Sequence, residues 1–339
     1  MKALAARIAL PLLAFAAATA WGQKTELLVY TALETDQLKA YTESFQKTNP
    51  NIDLKFVRDS TGVITAKLLA EKANPQADVV MGVSATSLEI FRHDGMLAPY
   101  APVGFDKLNP AFSDSSRPPH WVGQDVYAAV VCYNTVEGAK KGIPKPESWQ
   151  DLTKPIYKGQ ITMPNPASSG TGFLDVSSWL QLWGEAGGWK YMDALHENIA
   201  QYTHSGSKPC RQAGAGEFVI GISFDFRGND VKQKGAPVDL VFPKEGLGWD
   251  IEASGIMKNT KHMEAARKLM DWIASKEAND AYSKNFAIVA HPDVKPALPF
   301  LPQDLDKKLV KNDFAFAASN RDKILAEWQK RYGAKSEPK

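Results

Sequence analysis

The chain has 339 residues, 44% of them hydrophobic, and carries a formal charge of +2 at pH 7. That length and apolar content suffice for two cores of ordinary domain size. The excess charge is no larger than Lys2 and Arg7 supply at the extreme N-terminus, so the rest of the chain is formally neutral, which argues against a nucleic-acid surface.

Residues 1–22 open with Lys2 and Arg7, continue through an apolar run from Ile8 to Ala18, and end in Ala18-Thr19-Ala20 and Ala20-Trp21-Gly22. A basic start, a short apolar stretch and small residues at a cleavage site predict a secretory signal peptide, cut after Ala20 or Gly22. No later stretch approaches the roughly eighteen apolar residues of a membrane helix, so an exported, soluble, periplasmic protein is expected. Two cysteines, Cys132 and Cys210, lie deep in the chain. An exported protein pairs them or buries them as thiols, and both readings stay open.

Glu26 to Tyr30 reads as a short buried strand, after which Leu38, Tyr41 and Phe45 recur at helical spacing behind an N-cap at Thr31 or Thr35. Ile52, Leu54 and Phe56 alternate as a strand, Ser60-Thr61-Gly62 turns into a helix from Val63 to Ala73, and Ala77 to Gly82 forms a third strand before Ser84-Ala85-Thr86-Ser87 opens a helix. This β-α-β-α-β-α alternation predicts a mostly parallel sheet flanked by helices, with ligands at the carboxyl ends of its strands. Those ends carry Thr31, Ala32 and Glu34, then Ser60 and Thr61, then Ser84. A second α/β arrangement follows the strand Tyr127 to Tyr133. It holds a strand over 158–163, the turn Ser168-Ser169-Gly170-Thr171-Gly172, a helix from Phe173 to Trp183, the turn Thr203 to Ser207, and a strand from Phe218 to Phe224 ending at Asp225. The final third reads as mostly helical.

An anion is held well by N–H groups at helix N-termini assisted by hydroxyls, because those donors already point outward. The turns at Ser60-Thr61 and at Ser168, Ser169, Gly170 and Thr171 both have that form, one in each half. Ser205 and Ser223 are candidates beside them. Ser205-Gly206-Ser207-Lys208 also matches a four-residue nucleophile pattern of hydrolases, without the partner motifs that accompany it. Asp225 is read as the partner of a cationic ligand group rather than of Arg227 or Arg211. Glu34 stays open between that duty and a first-turn acid of its own helix. Tyr127 or Trp249 is a further candidate to line the cleft. No metal-binding spacing of histidines and no cofactor fingerprint occurs, so no cofactor is expected.

Val29-Tyr30-Thr31-Ala32, Ala77-Asp78-Val79, Pro146 to Leu152 with Tyr157-Lys158-Gly159, Met163 to Pro166 with Ser169 to Gly172, and Pro243 to Gly246 together resemble the bacterial extracellular solute-binding proteins related to the ferric-ion and polyamine binders. The resemblance spans the chain beyond the signal peptide and is greatest to the members that bind 2-aminoethylphosphonate. It implies a two-lobed, type II-like α/β fold with the ligand cleft between lobes. Residues 23–127 with about 254–303 would form one lobe, and 128–253 with about 304–339 the other. It also implies a monomer without enzymatic activity that closes around a small ligand and delivers it to an ABC permease and its ATPase. Ferric binders of the family use a tyrosine pair and a histidine where this chain has Phe224-Asp225-Phe226 and Glu34, so an aminated phosphonate is expected in preference to iron. The competing expectations are a metal, anion or polyamine binder of the same fold, and a periplasmic hydrolase.

Overall fold

The structure, a computed structural model, describes residues 24–338, and the expected signal peptide lies outside them. The first alternating run is present in the predicted order: β1 (Thr25–Thr31), α1 (Thr35–Thr48), β2 (Ile52–Arg58), α2 (Thr61–Ala70), β3 (Val79–Ser84) and α3 (Ala85–His93). β1 pairs in parallel with both β2 and β3, as helical crossovers require. The N-cap of α1 is Glu34, not Thr31 or Thr35, because the Gln37 side chain accepts the Glu34 N–H at 2.8 Å and sets the start of the helix there.

After the short β4 (Leu97–Ala98) comes β5 (Val122–Asn134), a strand of 13 residues buried along its whole length. The apolar run that predicted it begins only at Tyr127. The earlier residues include Gln124 and Asp125, polar side chains that the surrounding sheet nevertheless covers completely. α4 (Thr135–Lys141), β6 (Ile161–Pro164), α5 (Gly170–Asn198), β7 (Ile199–Thr203), α6 (Lys208–Ala215), β8 (Ile220–Phe224), α7 (Asp225–Gln233) and β9 (Val238–Val241) follow. Of the segment read as a turn at 168–172, Ser169 is the N-cap and Gly170 to Gly172 the first turn of α5, which kinks at Gly184.

β10 (Trp249–Met257) has no counterpart in the sequence reading, since Asp250 and Glu252 interrupt its apolar pattern. It pairs antiparallel with β3 on one side and with the first half of β5 on the other. The second half of β5 pairs with β8 and β9. One strand therefore serves two sheets, with order β2-β1-β3-β10-β5 in the first lobe and β5-β8-β6-β7 in the second. α8 (Met263–Ala274), α9 (Lys276–Tyr282) and β11 (Ile288–Val289) complete the first lobe. After α10 (Leu305–Lys308), α11 (Phe314–Tyr332) lies across both lobes, against α3 and α5.

Each lobe has its own aromatic core. Tyr41, Phe45, Trp272 and Tyr282 pack edge-on or tilted in the first, and Trp149, Trp179 and Tyr191 in the second. These tryptophans are packing residues, which is the commoner use of a large apolar side chain.

Cys132 of β5 and Cys210 of α6 form a disulfide across 78 residues, with Cα atoms 5.4 Å apart. Cross-linking a loop of that length stabilises a domain by about 2–4 kcal/mol. Replacing both cysteines by alanine is expected to lower the guanidinium midpoint by that equivalent and to leave ligand affinity unchanged, since the bond sits in a small apolar cluster with Val130, Ala213, Val231 and Val238. An unchanged midpoint would refute the stabilising role.

Candidate functional site

The carboxyl ends of β1, β2 and β3 meet the starts of α5 and α7 and the 203–207 turn in one cavity of about 40 Å³ between the lobes. It is lined by Ala32, Glu34, Arg58, Ser60, Thr61, Gly82 and Ser84 from the first lobe and by Ser169, Gly170, Thr171, Gly206 and Phe224 from the second. Tyr127 and Glu252 lie where β5 and β10 join them. At roughly 10–15 Å³ per water on this measure, the space suits one tetrahedral oxyanion.

Helix starts dominate the walls. Ser60, Ser84 and Ser169 are the N-caps of α2, α3 and α5. Among the described residues the N–H groups of Thr61, Gly170 and Thr171 donate to no protein acceptor, whereas the Gly62 N–H donates to Ser168 O at 2.9 Å and bridges the lobes. The start of α3 is already occupied: Asp250 accepts the Thr86 hydroxyl at 2.6 Å and lies within reach of the Thr86 N–H at 3.4 Å. The free donors are thus those of α2 and α5, which face each other across the closed cleft, and an anion there meets both helix dipoles.

Eight of the thirteen predicted site residues line this cavity: Ala32, Glu34, Ser60, Thr61, Ser84, Ser169, Gly170 and Thr171. Five stand behind it. Thr31 is fully buried and its hydroxyl oxygen accepts the Leu33 N–H at 3.1 Å. Ser168 donates its hydroxyl to His204 O at 3.1 Å, and Ser223 donates to Gly206 O at 2.6 Å. Ser205 accepts the Ser207 N–H at 3.2 Å, while Lys208 turns away to Glu337, so the hydrolase-like pattern assembles no nucleophile and base. Asp225 is buried under the Ala128 and Phe226 N–H groups, which donate to its Oδ1 at 3.1 and 2.9 Å.

Neither arginine weighed against Asp225 reaches it. Arg211 and Arg227 both turn to Glu34, whose carboxylate also meets Arg58 Nη2 at 3.3 Å and accepts the Ser207 hydroxyl at 2.6 Å. With three guanidinium groups around it, Glu34 is poorly suited to serve a ligand cation.

Arg58, Gly82, Gly206, Phe224 and Glu252 were missed in sequence, and Tyr127 was named only as a candidate. Arg58 did carry a signal: it continues the alternating face of Ile52, Leu54 and Phe56 at the strand's carboxyl end, a cation where the pattern calls for an apolar residue. Trp249, the other aromatic candidate, donates its indole N–H to Val310 O at 2.8 Å outside the cavity.

Carboxyls gather beneath the floor. Glu252 is the register partner of Asp125 across β10 and β5. Glu252 Oε2, both Asp125 oxygens and Asp225 Oδ2 have no protein partner, nor does the Tyr127 hydroxyl. Burial pushes Asp125 and Glu252 well above the carboxylate range, and their mutual charge and that of Asp225 raise Asp125 further. Burial likewise raises Asp225 and Asp250 to about 7, against the opposing pull of the N–H groups that each accepts.

A raised carboxyl makes the folded state bind more protons than the unfolded one between its ordinary pKa and its folded one. Stability is therefore highest at or below about pH 4 as far as these groups are concerned, and falls as pH rises through about 7, by up to about 1.4 kcal/mol per unit for each group. The ligand-free melting temperature is expected to be at least about 3 °C higher at pH 5 than at pH 8. Asp225→Asn, which keeps both N–H contacts to Oδ1, should flatten that slope. A melting curve indifferent to pH in both proteins would overturn the assignment.

A profile of the family described as bacterial extracellular solute-binding protein matches residues 74–307. An uncharacterised protein of Haemophilus influenzae is 31% identical over 90% of this chain and 89% of its own length. The structure of the periplasmic binding protein AfuA from Actinobacillus pleuropneumoniae, with exogenous fructose-6-phosphate bound, superposes with a TM-score of 0.85 at 30% identity, covering 91% of this chain and 99% of that one. A putative 2-aminoethylphosphonate-binding periplasmic protein of Salmonella typhimurium is 22% identical, covering 77% of this chain and 75% of that protein. AfuA and the Salmonella relative are named as binding proteins, and no described helix is long and apolar enough to cross a membrane. An interlobe cavity in a mixed α/β fold, together with a family match over most of the chain, leads to one conclusion: this protein is a member of the bacterial extracellular solute-binding protein family.

Proposed function

We propose that the protein is the periplasmic substrate-binding component of an ABC importer, and that its ligand is a small solute with a phosphonate or phosphate group at one end and hydrogen-bond donors at the other. The observation that carries this reading is the convergence of unpartnered N–H groups from α2 and α5 on one cavity, beside the Arg58 guanidinium. Such donors suit a tetrahedral dianion. Glu252, where β10 joins the cavity, is held protonated by burial and still offers its carboxyl carbonyl as an acceptor for an ammonium or a hydroxyl. 2-Aminoethylphosphonate meets both demands within the smallest volume. The Salmonella relative is named for that ligand, and AfuA holds a phosphorylated sugar, so the shared chemistry is the phosphoryl head.

The lobes are taken to divide after Tyr127 on β5, near Ala253 within β10 and again near Gln303, with closure about these crossings presenting the ligand-bound form to the permease. Ferric ion has less support, since Tyr127 is the one phenol lining the cavity and its hydroxyl is raised well above its ordinary pKa by burial.

Calorimetric titration with 2-aminoethylphosphonate, fructose 6-phosphate, inorganic phosphate, ethylphosphonate and ferric citrate tests the reading. One-to-one binding of a phosphonate or phosphate ester, tighter than that of ethylphosphonate, is expected. Heat with ferric citrate alone would keep the fold and sink the ligand class.

A further inference from the structure

The charges around Glu34 are arranged across the lobes. From the first lobe come Glu34 at the N-cap of α1, Asp36 in its first turn and Arg58 at the end of β2. From the second come Ser207, Arg211, Arg227 and Asp230. Within the first lobe alone, Arg58 is paired with Glu34, and the carboxylates of Glu34 and Asp36 outnumber it by one charge. That arrangement offers an incoming anion no net positive charge.

Closure changes the balance. Arg227 is 1% exposed, lies 3.4 Å from Glu34 Oε2 and donates from Nη1 to Asp36 at 3.3 Å and to Asp230 at 2.6 Å. Its Nε donates to Ser207 Oγ at 3.2 Å, and that hydroxyl in turn donates to Glu34. Arg211 stands 3.8 Å from the same carboxylate, and Lys234 pairs with Asp230 at 2.8 Å. With these groups in place, four cations meet three carboxylates. Arg58 keeps a second anchor, since its Nε donates to Leu33 O at 3.0 Å, and no hydrogen bond or ion pair among the described residues uses its Nη1.

The geometry points to Arg227 as a positioning residue for the bound anion: on closure it shares the Glu34 carboxylate from the opposite lobe, so that Arg58, still 3.3 Å from Glu34 through Nη2, is less fully neutralised and keeps Nη1 for the ligand. This deepens the phosphoryl-binding reading and rests on it. Arg227 does not line the cavity and acts only through Glu34 and Arg58. The first lobe by itself then holds an anion weakly, and full electrostatic capture belongs to the closed form, which is the form a permease has to distinguish from the open one.

A double-mutant cycle tests this. Arg227→Gln, Glu34→Gln and the double variant are titrated with 2-aminoethylphosphonate and fructose 6-phosphate, beside the unmodified protein. Arg227→Gln is expected to weaken binding about tenfold, in the range of a charge-assisted contact. In the Glu34→Gln background the same change should cost less than about threefold, because no carboxylate remains to reclaim Arg58. Arg227→Lys, which returns the charge, should recover most of the affinity. If Arg227→Gln does not fold, Arg227→Lys and Glu34→Gln carry the test: the first must bind nearly as the unmodified protein does, and the second must associate faster, since Arg58 is free before closure. Equal losses in both backgrounds, or a lysine variant as weak as the glutamine one, would show a merely structural arginine and overturn the inference alone. Unmodified protein silent to both ligands would overturn the phosphoryl reading and this inference with it.

Discussion

Gly62→Ala is expected to weaken ligand binding 10- to 100-fold while leaving the melting temperature of the ligand-free protein unchanged or slightly raised. Gly62 sits in the first turn of α2, and its N–H donates across the cleft to Ser168 O. A Cβ built there lies 2.2 Å from Ala167 O and 2.8 Å from the carbonyl carbons of Ala167 and Ser168. All three obstacles are backbone atoms of the opposite lobe, so no side-chain rotation relieves the clash. The lobes must separate, and forcing extra volume into a packed contact costs about 1–3 kcal/mol, which reduces the closed population by the stated factor. The open form bears none of this cost. In it, alanine favours the helix over glycine by up to about 1 kcal/mol. Calorimetry and a melting curve on one preparation separate the two effects. Unaltered affinity would mean that the closed geometry described here is not the binding form.

The second large effect is expected at Arg58. Arg58→Met keeps the length and the apolar packing of the side chain but removes the guanidinium from the cavity, with a loss of about 1.5–3 kcal/mol for a charge-assisted contact. Affinity for a phosphonate or phosphate ester should fall roughly 10- to 150-fold. Arg58→Lys should recover only part of it, because an ammonium keeps the charge without the planar fork that pairs two donors with one oxyanion. Arg211 and Arg227 still cover Glu34 in the variant, so the fold is expected to survive. The loss should also shrink for a ligand analogue that carries no anionic group. Equal losses for charged and uncharged ligands would indicate a steric role and remove Arg58 from the anion site.

Much of the site was legible because it is local. A serine or threonine ahead of a helical run marks an N-cap whatever the rest of the chain does, and Ser60, Ser84 and Ser169 are all N-caps in the structure. The rule that ligands gather at strand ends then selected the loops that do line the cavity. The predicted serines that stand behind the cavity have a common form. Ser168, Ser205 and Ser223 sit in or beside the right loops, but their hydroxyls bond to backbone groups of their own lobe, a choice made by side-chain direction that composition does not reveal. β10 escaped notice because two carboxyls interrupt its apolar pattern. Its Asp250 and Glu252 are tolerated there as protonated or hydrogen-bonded groups, which only the surrounding burial explains.

By itself the sequence determined the alternation of strands and helices, the helix starts and the hydroxyl-rich loops, all features set by propensities within a few residues. Tertiary structure decided which loops face each other, that Cys132 meets Cys210, and that Glu34 belongs to three arginines and a serine lying up to 193 positions away. The physical reason is the shared strand β5. By joining two sheets that each fold on local rules, it brings together charges and backbone donors with no signal in each other's neighbourhood, and their energies depend on separations of a few ångströms that exist only once the lobes have closed.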